Sequence, residues 1–155
     1  MALGDKPDGK LVFELSANLH GDHRIHTGEH ANSEFGEDNR EIIEVTSSTL
    51  DHVVGEIDPA DTFLWMDTQG YEGFVLSGAS IALKHHVPMC VEFWPYGLER
   101  SGSYPMLKEA FLSNGYKWFY NLDESATKIE LTEANLDSLY ASLAERRKFT
   151  DLLVI

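Results

Sequence analysis

The stretch Phe63-Leu64-Trp65-Met66-Asp67-Thr68-Gln69-Gly70-Tyr71-Glu72-Gly73-Phe74-Val75-Leu76-Ser77-Gly78-Ala79 decides how the chain is read. It opens with an apolar run, Phe63 to Met66, of the length and composition of a buried strand. The run stops at Asp67. Thr68, Gln69 and Gly70 form a polar turn, and helical spacing begins behind it. Phe74, Val75, Gly78, Ala79 and Ala82 share one face, with Leu83 alongside. An acid at the carboxyl end of a buried strand, followed by a Gly turn into a helix, is where open α/β sheets place their ligands. An unpartnered carboxylate is costly to bury, so Asp67 either faces a cleft, a donor or a ligand, or caps the helix that follows.

Downstream, the helix expected over 72–86 breaks at His85-His86-Val87-Pro88, and Met89 to Phe93 reads as the next strand. Trp94 to Leu98 reads as a loop. Pro105 fits the first turn of a helix that points Leu107, Ala110 and Phe111 inward and closes at Gly115. Tyr116 to Leu122 is an aromatic strand. Thr132 to Lys148 is the clearest helix, with Leu136, Leu139, Tyr140 and Leu143 at the i, i+3, i+4, i+7 spacing. Phe149 to Ile155 ends the chain as a strand. Upstream, residues 1–9 read as a lead-in, Leu11 to Leu15 and Ile42 to Thr46 as strands, and residues 26–41 as a long polar loop. Ser47 or Ser48 is placed to cap a short helix with Leu50, Val53 and Val54. Strands alternating with helices mean an α/β sheet, mainly parallel.

Composition narrows the function. A length of 155 residues fits one domain with a real core, spanning 10–155 here. With 43% hydrophobic and 25% charged residues, the chain is an ordinary globular one. A formal net charge of −14 opposes nucleic-acid binding, which needs clustered Lys and Arg. The single cysteine, Cys90, has no partner for an internal disulfide, which points to a reducing, cytoplasmic setting. No apolar stretch approaches the roughly 20 residues that span a bilayer, and no signal peptide is evident, so no membrane partner is expected.

Asp67-Thr68-Gln69-Gly70-Tyr71-Glu72, then Leu76, Gly78 and Ala79, then Val91-Glu92-Phe93, resembles the second half of the FkbM methyltransferases. The family pattern reads roughly apolar-K-x-D-x-x-G-x-E-x-x-x-L-x-G-A, and Trp65 stands where the family often has Lys. Asn18 and Gly21-Asp22-His23-Arg24 resemble a further family segment. The resemblance covers roughly residues 10–155 and corresponds to the family's C-terminal portion. It implies a Rossmann-like methyltransferase sheet, with the first strands of the full domain missing and the last strand antiparallel between its two neighbours. It also implies S-adenosylmethionine as cofactor and a small-molecule or glycan hydroxyl as acceptor.

A methyltransferase of this class needs a Gly-rich turn after its first strand and an acid that binds the ribose hydroxyls. No G-x-G occurs in this sequence. Weak or absent cofactor binding by the chain alone is therefore the expectation, together with self-association through an exposed sheet edge. The alternative is a non-enzymatic remnant serving as a binding or oligomerisation module.

Within the resemblance, Asp67 is the first candidate for positioning or base, His23 the second, with Glu72 and Glu92 behind. Asp67 and Gly70 would contact the cofactor, and Asp22, Arg24 and Tyr96 the acceptor. Glu72 is either a second carboxylate of the site or an acid at a helix N-terminus. Glu92, between Val91 and Phe93, needs a partner inside a buried strand. Trp94, Tyr104, Trp118 and Tyr120 read as core and rim sooner than as a platform for a sugar. His20, Asp22, His23, His26 and His30 crowd one segment, but their spacing fits no closed structural metal site, and no metal is assigned.

Overall fold

The computed structural model describes residues 1–17, 19–28, 36–37, 40–125 and 127–155. Asn18 and His30 lie outside the described residues, as does much of the loop expected over 26–41. Nine strands and six α-helices are found among the described residues: β1 Ala2–Leu3, β2 Gly9–Leu15, β3 Arg24–Ile25, β4 Glu41–Ser48, α1 Leu50–Val54, β5 Leu64–Met66, α2 Glu72–Ser77, α3 Ser80–Lys84, β6 Met89–Phe93, α4 Pro95–Ser101, α5 Tyr104–Ser113, β7 Trp118–Asn121, β8 Lys128–Glu130, α6 Glu133–Arg146 and β9 Thr150–Val154.

They build a mixed α/β protein with two sheets, in the orders β1-β4-β2-β3 and β5-β6-β9-β7-β8. The expectation of a mainly parallel sheet is corrected. Only β1–β4 and β5–β6 pair in parallel, and the other five pairings are antiparallel. Part of the reason is local, since β2 turns back on β3, and β7 on β8, without a helical crossover. The other part is β9, which returns from α6 and inserts antiparallel between β6 and β7.

β6 lies between β5 and β9 in the larger sheet. All five of its residues are buried, and Met89, Val91 and Phe93 face the core. Val91, Phe93, Leu76, Leu98, Leu107, Phe111, Leu136 and Leu152 belong to one continuous core. β5, by contrast, is an edge strand. Its Trp65 is 69% exposed, so the run expected to be buried on both faces is buried on one only.

Other boundaries move for local reasons. The helix expected over 72–86 divides at Gly78 and Ala79, where the Gly78 position lies against the Gly4 carbonyl and Thr49 and leaves no room for a side chain. Trp94 to Leu98 is not a loop. Pro95 at the first helical position starts α4, and Gly102 in the left-handed conformation (φ 72°) stops it. Thr49, rather than Ser47 or Ser48, caps α1, accepting a hydrogen bond from the His52 amide at 3.2 Å. The first nine residues hold β1, which runs beside β4. No helix among the described residues is long and apolar enough to cross a membrane.

Candidate active site

The turn that leaves β5 is built around Gly70. Its φ is +94°, and a Cβ there would overlap the Gly97 backbone of α4. Its carbonyl accepts from the Ser101 hydroxyl and from the Ser103 hydroxyl, the latter at 2.6 Å. Its amide donates to Glu72 Oε1 at 3.3 Å. The same oxygen accepts from the Thr68 amide and the Thr68 hydroxyl, both at 2.8 Å. Glu72 therefore reaches back over the start of its own helix and ties down the strand-to-helix turn. Its side chain is fully buried, and desolvation raises its carboxyl above the usual range against the pull of the Thr68 and Gly70 donors.

Between these anchors the Gln69 backbone is left-handed, at φ +55°. For a residue other than glycine this costs on the order of 1 kcal/mol. Its side-chain amide donates to Asp67 Oδ1 at 2.7 Å and lies 3.3 Å from both oxygens of Glu92. Asp67 is exposed at the carboxyl end of β5, while Glu92 is 6% exposed near the carboxyl end of β6. Burial pushes the Glu92 carboxyl up to about 8, and the charges of Asp67, Glu72 and Asp151 push the same way. Asp151 is the residue directly opposite Glu92 on β9. Glu92 is thus held toward its protonated form, next to the accessible carboxylate of Asp67.

A second polar cluster lies where the smaller sheet meets α4. Glu14 and Arg24 are register partners on β2 and β3, so their side chains share a face. Arg24 is 1% exposed and reaches Glu14 at 3.3 Å, Asp22 at 3.1 Å and Glu37 at 3.1 Å. Arg40 also pairs with Asp22. Arg100 of α4 reaches Glu14 at 2.8 Å and donates to the Ile25 carbonyl at 3.0 Å. The Tyr96 hydroxyl donates to Glu37 at 2.9 Å, and the Arg24 guanidinium sits 5.3 Å from the Trp94 ring centre. Desolvation lowers the Arg24 pKa, although three carboxylates surround it.

α4 links the two clusters. Tyr96 and Arg100 grip the ion network, while Gly97 and Ser101 touch Gly70. Of the residues singled out from sequence, Asp67, Glu92 and Glu72 gather at the strand ends. Asp22, Arg24 and Tyr96 join the ion network. His23 belongs to neither bonding pattern; its Nδ1 accepts from the Ser16 amide at 3.0 Å. His26 turns to Glu14, at 3.1 Å. Among the described residues, no group of three His, Cys, Asp or Glu side chains is placed to hold a metal ion.

Sequence reasoning did not reach Gln69, Asp151, Glu14, Glu37, Arg40 or Arg100. Only Glu14 left a trace, an acid inside the apolar run Leu11 to Leu15.

The model of the methyltransferase FkbM domain matches residues 2–117. No curated protein and no solved structure matches the chain. The matched span contains the whole Asp67-to-Ala79 turn, the strand bearing Glu92, and the buried ion network around Arg24. This protein belongs to the FkbM methyltransferase domain family.

Proposed function

We propose that the protein is an S-adenosylmethionine-dependent O-methyltransferase with a Rossmann-like larger sheet, acting on a hydroxyl of a small molecule or glycan. The observation that supports this reading best is the pair of carboxylates at the carboxyl ends of the adjacent parallel strands β5 and β6, where open α/β sheets bind ligands.

The residues fit one end of such a cofactor. Asp67 presents a carboxylate that suits a sulfonium and its neighbouring ammonium group, and Glu92 beside it would be drawn toward its ionised form by such a cation. The nucleotide end finds no seat at the glycines that follow β5. The side-chain positions of Gly70, Gly73 and Gly78 are filled by Gly97, Ser103 and Gly4. All the polar backbone groups of Gly70 are likewise engaged inside the protein. When bound, the cofactor supplies an electrophilic methyl group. The chain's own part is to orient the acceptor oxygen and receive its proton. Asp67 is the accessible carboxylate for both tasks, and Glu92 beside it holds or releases a proton near neutral pH. Tyr96, Arg24 and Asp22 would bear on the acceptor through the position of α4, since their polar groups are committed to the ion network.

The test is transfer of labelled methyl from S-adenosylmethionine to hydroxyl acceptors, glycans included. Transfer by the wild type that Asp67→Asn abolishes supports the reading. Full turnover in Asp67→Asn refutes the role of Asp67. A second reading, a binding or oligomerisation module, draws on the filled glycine positions and the free edge of β5. It expects no turnover, no binding of S-adenosylmethionine tighter than about 10 μM, and concentration-dependent association in light scattering.

A further inference from the structure

Gln69 occupies a position for which its residue type is a poor choice on backbone grounds. A left-handed residue between a strand and a helix is met at least strain by glycine, or by asparagine. The turn cannot relax around it. Glu72 holds the amides on both sides, Thr68 and Gly70, and the Ser101 and Ser103 hydroxyls hold the Gly70 carbonyl. Strain that persists because its surroundings over-determine it asks for a reason in the side chain. The reason in view is the amide nitrogen, which reaches one carboxylate at 2.7 Å and lies 3.3 Å from both oxygens of a second.

We propose that Gln69 is a positioning residue whose side-chain amide clamps the carboxylates of Asp67 and Glu92 together, so that they act as one acid–base centre toward the acceptor hydroxyl. The part that concerns the acceptor rests on the methyltransferase reading; the clamp itself does not. Asp67 stands beyond the end of β5 and Glu92 lies on β6, and whenever Glu92 ionises the two carboxylates repel, so that a shared donor is what keeps them together. The groups that face Glu92 are all acidic: Asp67 after β5, Glu72 on α2 and Asp151 on β9. Among the described residues, the Gln69 amide is the hydrogen-bond donor to Glu92 that counters them.

Two variants separate the side chain from the backbone. Gln69→Met keeps the length and the strain but removes the amide. Gln69→Gly removes both. The readout is the titration of the Glu92 carboxyl, followed by carbon-detected NMR in the intact protein and assigned with Glu92→Gln. With its donor gone, the charged form of Glu92 loses support. Its midpoint should rise by roughly half a pH unit or more in both variants. The melting temperature of Gln69→Gly at pH 6 should equal or exceed that of the wild type, because the strained conformation suits glycine.

A merely structural Gln69 would leave the Glu92 midpoint in place in Gln69→Met, and that result overturns the proposal. A raised midpoint supports the clamp whether or not the wild type transfers methyl groups, since the titration needs no cofactor. If the wild type does transfer them, both variants should lose turnover and the alkaline limb of the pH profile should move with the Glu92 midpoint. A pH profile that stays put then refutes the acid–base part.

Discussion

Replacing Glu92 with glutamine removes a proton-binding group while keeping its shape, and the structure gives the size of the effect. In the folded protein the Glu92 carboxyl is pushed from 4.5 up to about 8, by burial first and then by Asp67, Glu72 and Asp151. A rise of that size corresponds to about 5 kcal/mol, at 1.36 kcal/mol per pH unit, between full protonation and full ionisation. The folded state holds this proton more tightly than the unfolded chain. The stability linked to it is complete below pH 4.5 and is lost as the pH rises through about 8. Between pH 5 and pH 8 the loss is roughly 3–4 kcal/mol. For a chain of 155 residues this lowers the melting temperature by roughly 7–14 °C.

Glu92→Gln should escape that loss. Its side-chain oxygen still accepts from Gln69, and no proton is gained or lost. Thermal melts of both proteins at pH 5, 6, 7 and 8 give the comparison. Glu72 and Asp151 are raised as well and contribute a slope in the same direction, so only the difference between the two proteins bears on Glu92. Wild type and variant should converge near pH 5, and the variant should melt several degrees higher at pH 8. Parallel curves would refute the claim that Glu92 is buried protonated among like charges.

Three further perturbations follow from named contacts. Gly70→Ala forces a Cβ into the Gly97 backbone at a left-handed φ and should cost roughly 3 kcal/mol or more in chemical denaturation, whereas Gly21→Ala, which meets nothing, should change little. Asp67→Asn and Asp67→Ala should both leave stability within about 0.5 kcal/mol, since Asp67 is exposed and its recorded partner is the Gln69 side chain rather than a helix amide. Asp67→Asn should also lower the Glu92 midpoint by removing a like charge, as NMR titration would show. Arg24→Met leaves Glu14 and Glu37 short of a guanidinium inside the protein and should cost about 3–5 kcal/mol by denaturant unfolding. A loss under 1 kcal/mol would mean that water already serves that cluster.

Where sequence and structure agree, a local rule sufficed. The 3.6-residue period of Leu136, Leu139, Tyr140 and Leu143 placed α6, and the apolar run Met89 to Phe93 placed β6. Pro95 and Gly102 bracket α4 by the same kind of rule, but Trp94 to Leu98 read as a loop. Pairing was less legible. The residues Phe149 to Ile155 do not themselves say that they lie between two earlier strands, since that depends on where α6 returns them; the family resemblance supplied that placement, and the pairings of β9 agree with it. The ion network was hidden for a similar reason. Glu14, Glu37, Arg40 and Arg100 are spread over the first hundred residues, and only the fold brings them to Arg24. Gln69 looked like turn filler, because a left-handed φ leaves no mark in residue order. The motif residues Gly70 and Glu72 were found, but sequence spacing could not tell packing from ligand contact.

The central place of β9 also governs the order in which the protein can be made. β6, buried along its whole length, leaves the ribosome with β5 as its only available neighbour. The strand that covers its other edge follows roughly sixty residues later, about 3–12 s at ordinary rates of synthesis. During that interval Met89, Val91 and Phe93 border an open edge, a template for any strand that arrives first. Codon choices that slow translation between α5 and β9 should lower its soluble yield without altering a single residue.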